Sequence, residues 1–211
     1  MTKNDSRGYG WVSAEALGSA SYLNPIIFDI LSKYQIKKVV DLGCGNGSLA
    51  GEISKKGYEV AGVEYDYGGY SIAKKAYPAI AFFNIGVQDQ VPPELAKIGP
   101  FDAVISTEVI EHLFSPHQLP KFASSILRKN GLLILSTPYH GYLKNLIISL
   151  LGKWDSHHTA LWHGGHIKFW SRKTIASLLA QNGFNVIDFY GSGRMPFLWK
   201  SMIIVAQATE S

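Results

Sequence analysis

The residues best suited to chemistry stand close together at Glu108, Glu111 and His112. If this stretch turns as a helix, the spacing i, i+3, i+4 puts two carboxylates and an imidazole on one face. Such a face suits a divalent cation, since oxygen donors hold Mg²⁺ or Mn²⁺ and a histidine adds a nitrogen. It also suits acid–base work, with His112 as a general base near neutral pH. A second cluster, Asp41-Leu42-Gly43-Cys44-Gly45-Asn46-Gly47, places three glycines after an apolar run. There the backbone must bend sharply and a ligand can approach it closely. The nicotinamide fingerprint is met only through Gly45-x-Gly47-x-x-Ala50, because Ser48 holds the sixth position counted from Gly43. Cys44, the single cysteine, has no histidine near it in sequence and reads as a small loop residue rather than a nucleophile.

These groups need elements to hold them. From Lys38 onward, β-rich runs alternate with amphipathic stretches, which predicts strands over 39–42, 58–64, 79–84, 101–107 and 132–137. Helices are expected over 48–56, 69–76, 116–128, 141–151 and 172–181, and closing strands over 185–190 and 201–206. Such alternation argues for an α/β fold: a mostly parallel seven-stranded sheet with helices on both faces and ligand sites at the carboxyl ends of its strands. Only the loop 191–200 separates the last two strands, so they should pair as an antiparallel hairpin at one edge. The whole chain, 1–211, reads as one domain, with 1–36 as an N-terminal cap, helical over 14–32, and 138–170 as a lid insertion over an acceptor pocket.

Within that frame, the stretch beginning at Asp41 resembles the first motif of class I S-adenosylmethionine-dependent methyltransferases, and the likeness runs from about Lys38 to Phe189. It implies a Rossmann-like fold and S-adenosyl-L-methionine as cofactor. Val60-Ala61-Gly62-Val63-Glu64 resembles the family's second strand, which implies that Glu64 accepts hydrogen bonds from both ribose hydroxyls, with Tyr65 beside it and Asp66 as a second partner. A carboxylate suits two neighbouring hydroxyls because it offers two acceptor oxygens. The resemblance also implies that Asp41 orients the methionine ammonium group and that the backbone of Gly43, Cys44, Gly45 and Gly47 faces the methionine carboxylate. Many relatives carry an aspartate after the third strand for the adenine amino group. This chain instead reads Asn84-Ile85-Gly86-Val87-Gln88-Asp89, which assigns adenine packing to Val87 and a hydrogen bond to Gln88.

The E-x-x-E-H element is shared by two branches of the family, the ubiquinone-biosynthesis O-methyltransferases and the small-RNA terminal 2′-O-methyltransferases. His166-Ile167-Lys168-Phe169-Trp170 resembles the later His-x-x-Phe segment of both, although Gly165 stands where the RNA enzymes have an acid. The resemblance leaves three readings. Glu108, Glu111, His112 and His166 hold a metal; or His112 or His166, with Glu111, handles the proton; or the glutamate only touches the cofactor.

The acceptor is less legible. Five histidines fall between His140 and His166, among Tyr139, Tyr142, Trp154 and Trp162, with His163 next to the motif; His157 and His158 read as exposed loop residues. Trp162 and Trp170 would fill a lid core, and Arg194 sits on another rim as a solvated loop residue. Leu143, Leu146, Ile147, Leu150 and Leu151 recur at helical spacing, which fits either core or an interfacial helix meeting a lipophilic acceptor or a membrane surface. Lys144, Asn145 and Ser149 interrupt that segment, which is far shorter than the ~20 residues of a membrane span. The start Met1-Thr2-Lys3-Asn4-Asp5 lacks the apolar stretch of a signal peptide, so a cytoplasmic location is expected. Lys and Arg total 20 against 16 Asp and Glu, a formal charge of +4, but without the like-charge runs of a nucleic-acid tail. The expectation is therefore O-methylation of a small aromatic or lipophilic molecule. Metal-assisted RNA 2′-O-methylation and a non-catalytic S-adenosylmethionine-binding protein are the alternatives.

Overall fold

The computed structural model describes residues 10–158 and 164–209. Trp162, His163 and the stretch Met1–Asp5 lie outside the described residues. The chain runs α1 (Ala20–Lys33), β1 (Lys38–Leu42), α2 (Ser48–Lys55), β2 (Glu59–Val63), α3 (Tyr67–Ala76), β3 (Ala81–Phe83), α4 (Pro93–Ile98) and β4 (Phe101–Thr107). A 3-10 turn over Ile110–His112 leads to α5 (Gln118–Ile126), β5 (Leu127–Pro138), α6 (Tyr142–Leu150), α7 (Trp154–His158), α8 (Arg172–Ala180), β6 (Phe184–Ser192) and β7 (Ser201–Ala208).

The seven strands form one sheet in the order β3-β2-β1-β4-β5-β7-β6. All neighbours are parallel except β7, which runs antiparallel to both β5 and β6. The closing hairpin is therefore present, with β6 at the edge and β7 inserted beside β5. Strand residues alternate between two apolar layers, as the two-residue repeat of a pleated strand requires. Val40, Val104, Leu133 and Ile204 pack with α5 and α8 on one face. Val39, Ile105, Ile134 and Val205 pack with α1 and α2 on the other. Burial on both faces explains why these strands read as continuous apolar runs.

The structure departs from or narrows these expectations at three places. Helix in the N-terminal cap starts at Ala20, because residues 10–19 lie as irregular chain against the loop after β1. α4 was not foreseen; six residues opening on Pro93 are too few to show a helical repeat. The 141–151 stretch is inverted: Lys144 is the buried residue of α6, while Leu143, Leu146, Leu150 and Leu151 are exposed. It therefore does not supply core.

Candidate active site

The glycine loop leaves β1 at the carboxyl edge of the sheet and is tied to its neighbour at once. The amides of Gly43 and Cys44 both donate to the Val63 carbonyl, at 2.8 and 3.0 Å. Glu64 completes the tie, its Oε2 accepting the Gly45 amide and its Oε1 the Asp66 amide, each at 2.7 Å. Asp66 is occupied elsewhere: its side chain caps α3 by accepting the Gly69 amide at 2.8 Å. Asp41, at the end of β1, is buried, and neither of its carboxylate oxygens has a hydrogen-bond partner. Burial, reinforced by the nearby Glu64 charge, holds its carboxyl up to about 7. A buried carboxylate without donors is costly, so this geometry calls for a cationic or hydrogen-bond-donating ligand group. Burial pushes the Cys44 thiol well up, which keeps it protonated and unreactive.

A cavity of about 760 Å³ opens over these residues. Asp41, Gly43, Cys44, Gly45, Glu64, Tyr65, Val87, Gln88, Glu108, His112 and His166 all line it. Gly47 and Glu111 are not on its wall. Gly47 instead N-caps α2 at φ 77°, and Glu111 is fully buried.

The Glu-Glu-His element departs from the helical face expected of it. Glu108 has φ 53°, and the 3-10 turn begins only at Ile110, so the three side chains do not share one face. Glu108 Oε1 accepts from the Ser136 hydroxyl at 2.8 Å and Oε2 from the Ser201 hydroxyl at 3.2 Å. Burial raises its carboxyl to about 7, against those two hydroxyls. Glu111 turns the other way, accepting the Thr137 hydroxyl on Oε2 at 3.0 Å and leaving Oε1 without a partner. Burial and the Glu108 charge push its carboxyl well up.

His166 is delivered by backbone pairing: the amides of Ile167 and Lys168 donate to the Glu111 carbonyl at 2.9 and 3.0 Å. The rings of His112 and His166 then meet edge to face with centroids 4.9 Å apart. One ligand atom from each of Glu111, His112 and His166 lies within 4.8 Å of the other two. Glu108 is not in that group. Burial lowers both imidazoles, His166 to about 4, so both are neutral at pH 7, the form that accepts a proton or a metal.

The arrangement also uses residues that the sequence reading passed over. Trp11, Leu17 and Asn24 line the cavity from the N-terminal side. Ser136, Thr137 and Ser201 hold the two glutamates; the first two are a polar pair inside the apolar run of β5, a visible interruption whose purpose needed the fold. His157 and His158 lie on α7 rather than in a loop, and Trp170 is core beside α8. Among the described residues, no helix is long and apolar enough to cross a membrane.

The family profile described as a methyltransferase domain matches residues 21–188. A ubiquinone biosynthesis O-methyltransferase of Ruegeria sp. (strain TM1040) is 28% identical over 169 residues, which cover 77% of this chain and 66% of that protein. The chain thus spans just under two thirds of the length of that relative. Among solved structures, magnesium protoporphyrin IX methyltransferase from Synechocystis PCC 6803 with bound SAH aligns with a TM-score of 0.62 at 18% identity, covering 88% of this chain and 81% of that one. The methyltransferase domain of a bacterial CtHen1 aligns with a TM-score of 0.64 at 24% identity, covering 87% and 96%. With the profile matched over most of its length and this sheet order beneath it, the chain belongs to the methyltransferase-domain family and is, in fold, a class I S-adenosylmethionine-dependent methyltransferase.

Proposed function

We propose that the protein moves the sulfonium methyl group of S-adenosylmethionine to an oxygen atom of a small aromatic or lipophilic acceptor. The observation that carries this reading is the donor-less Asp41 carboxylate, buried in the wall of a cavity that also presents the glycine loop and Glu64. An α-ammonium group satisfies Asp41, and the spare lone pairs of Glu64 accept from two vicinal hydroxyls. The acceptor oxygen attacks the methyl carbon in line with the departing sulfur; the C–S bond breaks, its electron pair stays on sulfur, and S-adenosylhomocysteine leaves. His112 or His166, neutral and on the cavity wall, takes the hydroxyl proton. The rest is positioning, since holding donor and acceptor ~3 Å apart in line supplies several kcal/mol.

Glu111, His112 and His166 fit a divalent cation: their ligand atoms converge, and Glu111 Oε1 has no other partner. One carboxylate and two imidazoles favour Mn²⁺ over Mg²⁺, which prefers oxygen donors. When bound there, the ion would take up both imidazoles and, in place of a histidine base, would lower the pKa of the acceptor hydroxyl.

The lipophilic character of the acceptor rests on α6. Tyr142, Leu143, Leu146 and Leu150 are exposed, as are Met195 and Phe197 of the β6–β7 loop. Lys153 follows α6 in the chain and the Arg194 charge acts on Lys144 of α6, which fits an anionic lipid layer carrying the acceptor.

Calorimetric titration of S-adenosylhomocysteine, with Glu64→Ala as control, tests the cofactor assignment. Micromolar binding that is lost in the control supports it; no binding by the wild-type chain sinks it. A screen of phenolic and catecholic acceptors with and without Mn²⁺ then tests the reaction.

A further inference from the structure

The geometry points to a cofactor clamp in residues 10–19, with Trp11 as a cofactor-binding residue and Asn46 as the positioning residue that fastens the strap. This rests on the cofactor assignment above and goes beyond it, because neither residue belongs to the motif positions that carried that assignment.

Asn46 occupies the variable slot of the glycine loop, yet it is only 3% exposed. Its side-chain amide donates both hydrogens across to the strap, to the Ser13 carbonyl at 2.8 Å and the Glu15 carbonyl at 2.7 Å. Its Oδ1 accepts the Ser48 amide at 3.2 Å, at the start of α2. An amide has two donor hydrogens, so Asn46 has none left for a ligand. Among the described residues, these two bonds are the hydrogen bonds that tie residues 10–16 to the rest of the fold.

Trp11 lies under the same fastening. Its ring presses on the loop so closely that a Cβ at Gly45 would stand 2.6 Å from Trp11 Cη2, and one at Gly69 would stand 3.0 Å from Trp11 Cδ1. Two positions without side chains therefore make the seat for the indole. The ring also lines the cavity, as Glu64 and Tyr65 do, and its Nε1–H is buried without an acceptor. A buried indole N–H normally finds a partner. A carboxylate at the glycine loop, where the methionine end of the cofactor is assigned, supplies one. The strap has no regular structure before Ala20, so it can lift as a unit for entry and close over the bound ligand.

The test is S-adenosylhomocysteine binding by calorimetry and its release by stopped-flow fluorescence, for the wild-type chain, Trp11→Phe, Trp11→Ala, Asn46→Ala and the double variant Trp11→Ala/Asn46→Ala. Circular dichroism establishes that each is folded, and Trp11→Phe covers the case in which Asn46→Ala disrupts the loop. We expect Trp11→Ala and Asn46→Ala each to weaken binding about tenfold or more, mainly by faster release, and Trp11→Phe to weaken it less. The double variant should bind no more weakly than the worse single one, because both changes release the same strap. Wild-type binding with unchanged affinity in Trp11→Ala overturns the clamp alone, as do fully additive losses in the double variant. Absence of binding by the wild-type chain overturns the clamp together with the cofactor assignment.

Discussion

The carboxylate of Glu64 accepts the backbone amide of Gly45 at 2.7 Å, so the acid at the end of β2 holds in place the glycine loop that leaves β1. Its other oxygen holds the Asp66 amide, also at 2.7 Å. Each carboxylate oxygen has two lone pairs, which leaves an acceptor site on both for a ligand. One residue thus shapes the loop and faces the cavity that the loop borders.

Glu64→Gln tests the structural half of that role. The amide nitrogen would face a backbone N–H, leaving a donor against a donor at a cost of about 1–3 kcal/mol. A lower melting temperature and at least about tenfold weaker S-adenosylhomocysteine binding are expected. Unchanged values for both would show that the loop holds itself.

The loop geometry makes a second demand at Gly47. Its φ of 77° is left-handed, and a Cβ there would lie 2.8 Å from Ala73 Cβ and 3.1 Å from the Phe82 ring. Gly47→Ala should therefore cost about 1–3 kcal/mol, from backbone strain and crowding of α3 together. Chemical denaturation reads this directly, and a loss under about 0.5 kcal/mol would contradict it.

Much of this architecture was legible in the sequence because the sheet is buried on both faces. Val39-Val40-Asp41-Leu42 and Val104-Ile105 announce themselves as strands by apolar content broken only at Asp41, and the glycines after Leu42 mark the turn. What escaped was set by contacts distant in sequence. Glu108, Glu111 and His112 have helical spacing, but hydroxyls on β5 and β7 draw Glu108 away from the other two. Lys144 is a surface residue by type; it is 6% exposed because its ammonium donates to the Tyr139 carbonyl at 2.8 Å. Trp11 lacks any local pattern, and only Asn46 reveals where it goes.

The separation of Glu108 from Glu111 gives a test of the metal proposal. Mn²⁺ binding, followed by loss of the free-ion electron paramagnetic resonance signal, should be abolished by His166→Ala and weakened by Glu111→Gln. Glu108→Gln should retain it, since Glu108 is bonded to Ser136 and Ser201 instead. Loss in Glu108→Gln equal to that in His166→Ala would return Glu108 to the ligand set.

The outward leucines of α6 predict sedimentation with vesicles containing anionic phospholipid. Leu146→Glu/Leu150→Glu should abolish it with little effect on fold stability, because Leu150 is 75% exposed and Leu146 is partly so. Added salt should weaken the wild-type interaction by screening Lys153 and Arg194. Equal sedimentation of the double variant would remove α6 from any lipid contact.

The buried carboxyl of Asp41 sets a pH dependence whose sign follows from its surroundings. Burial, then the Glu64 charge, holds it at about 7 in the fold, against 3.8 for an ordinary aspartate. Between those values the folded state binds the proton and the unfolded state has lost it. The ligand-free protein should therefore lose stability as pH rises from about 4 to about 7. Glu108, also held at about 7 by burial, contributes in the same direction, so the Asp41 share is the part of the slope that Asp41→Asn removes. Binding of an ammonium-bearing ligand reverses the balance, because it favours the ionised carboxylate. S-adenosylhomocysteine affinity should then rise as pH increases from about 6 to about 8, with release of a proton. Calorimetry in two buffers of different ionisation enthalpy measures that release. Proton uptake, or an affinity independent of pH with Asp41 intact, would show that the ligand does not place its cation against this carboxylate.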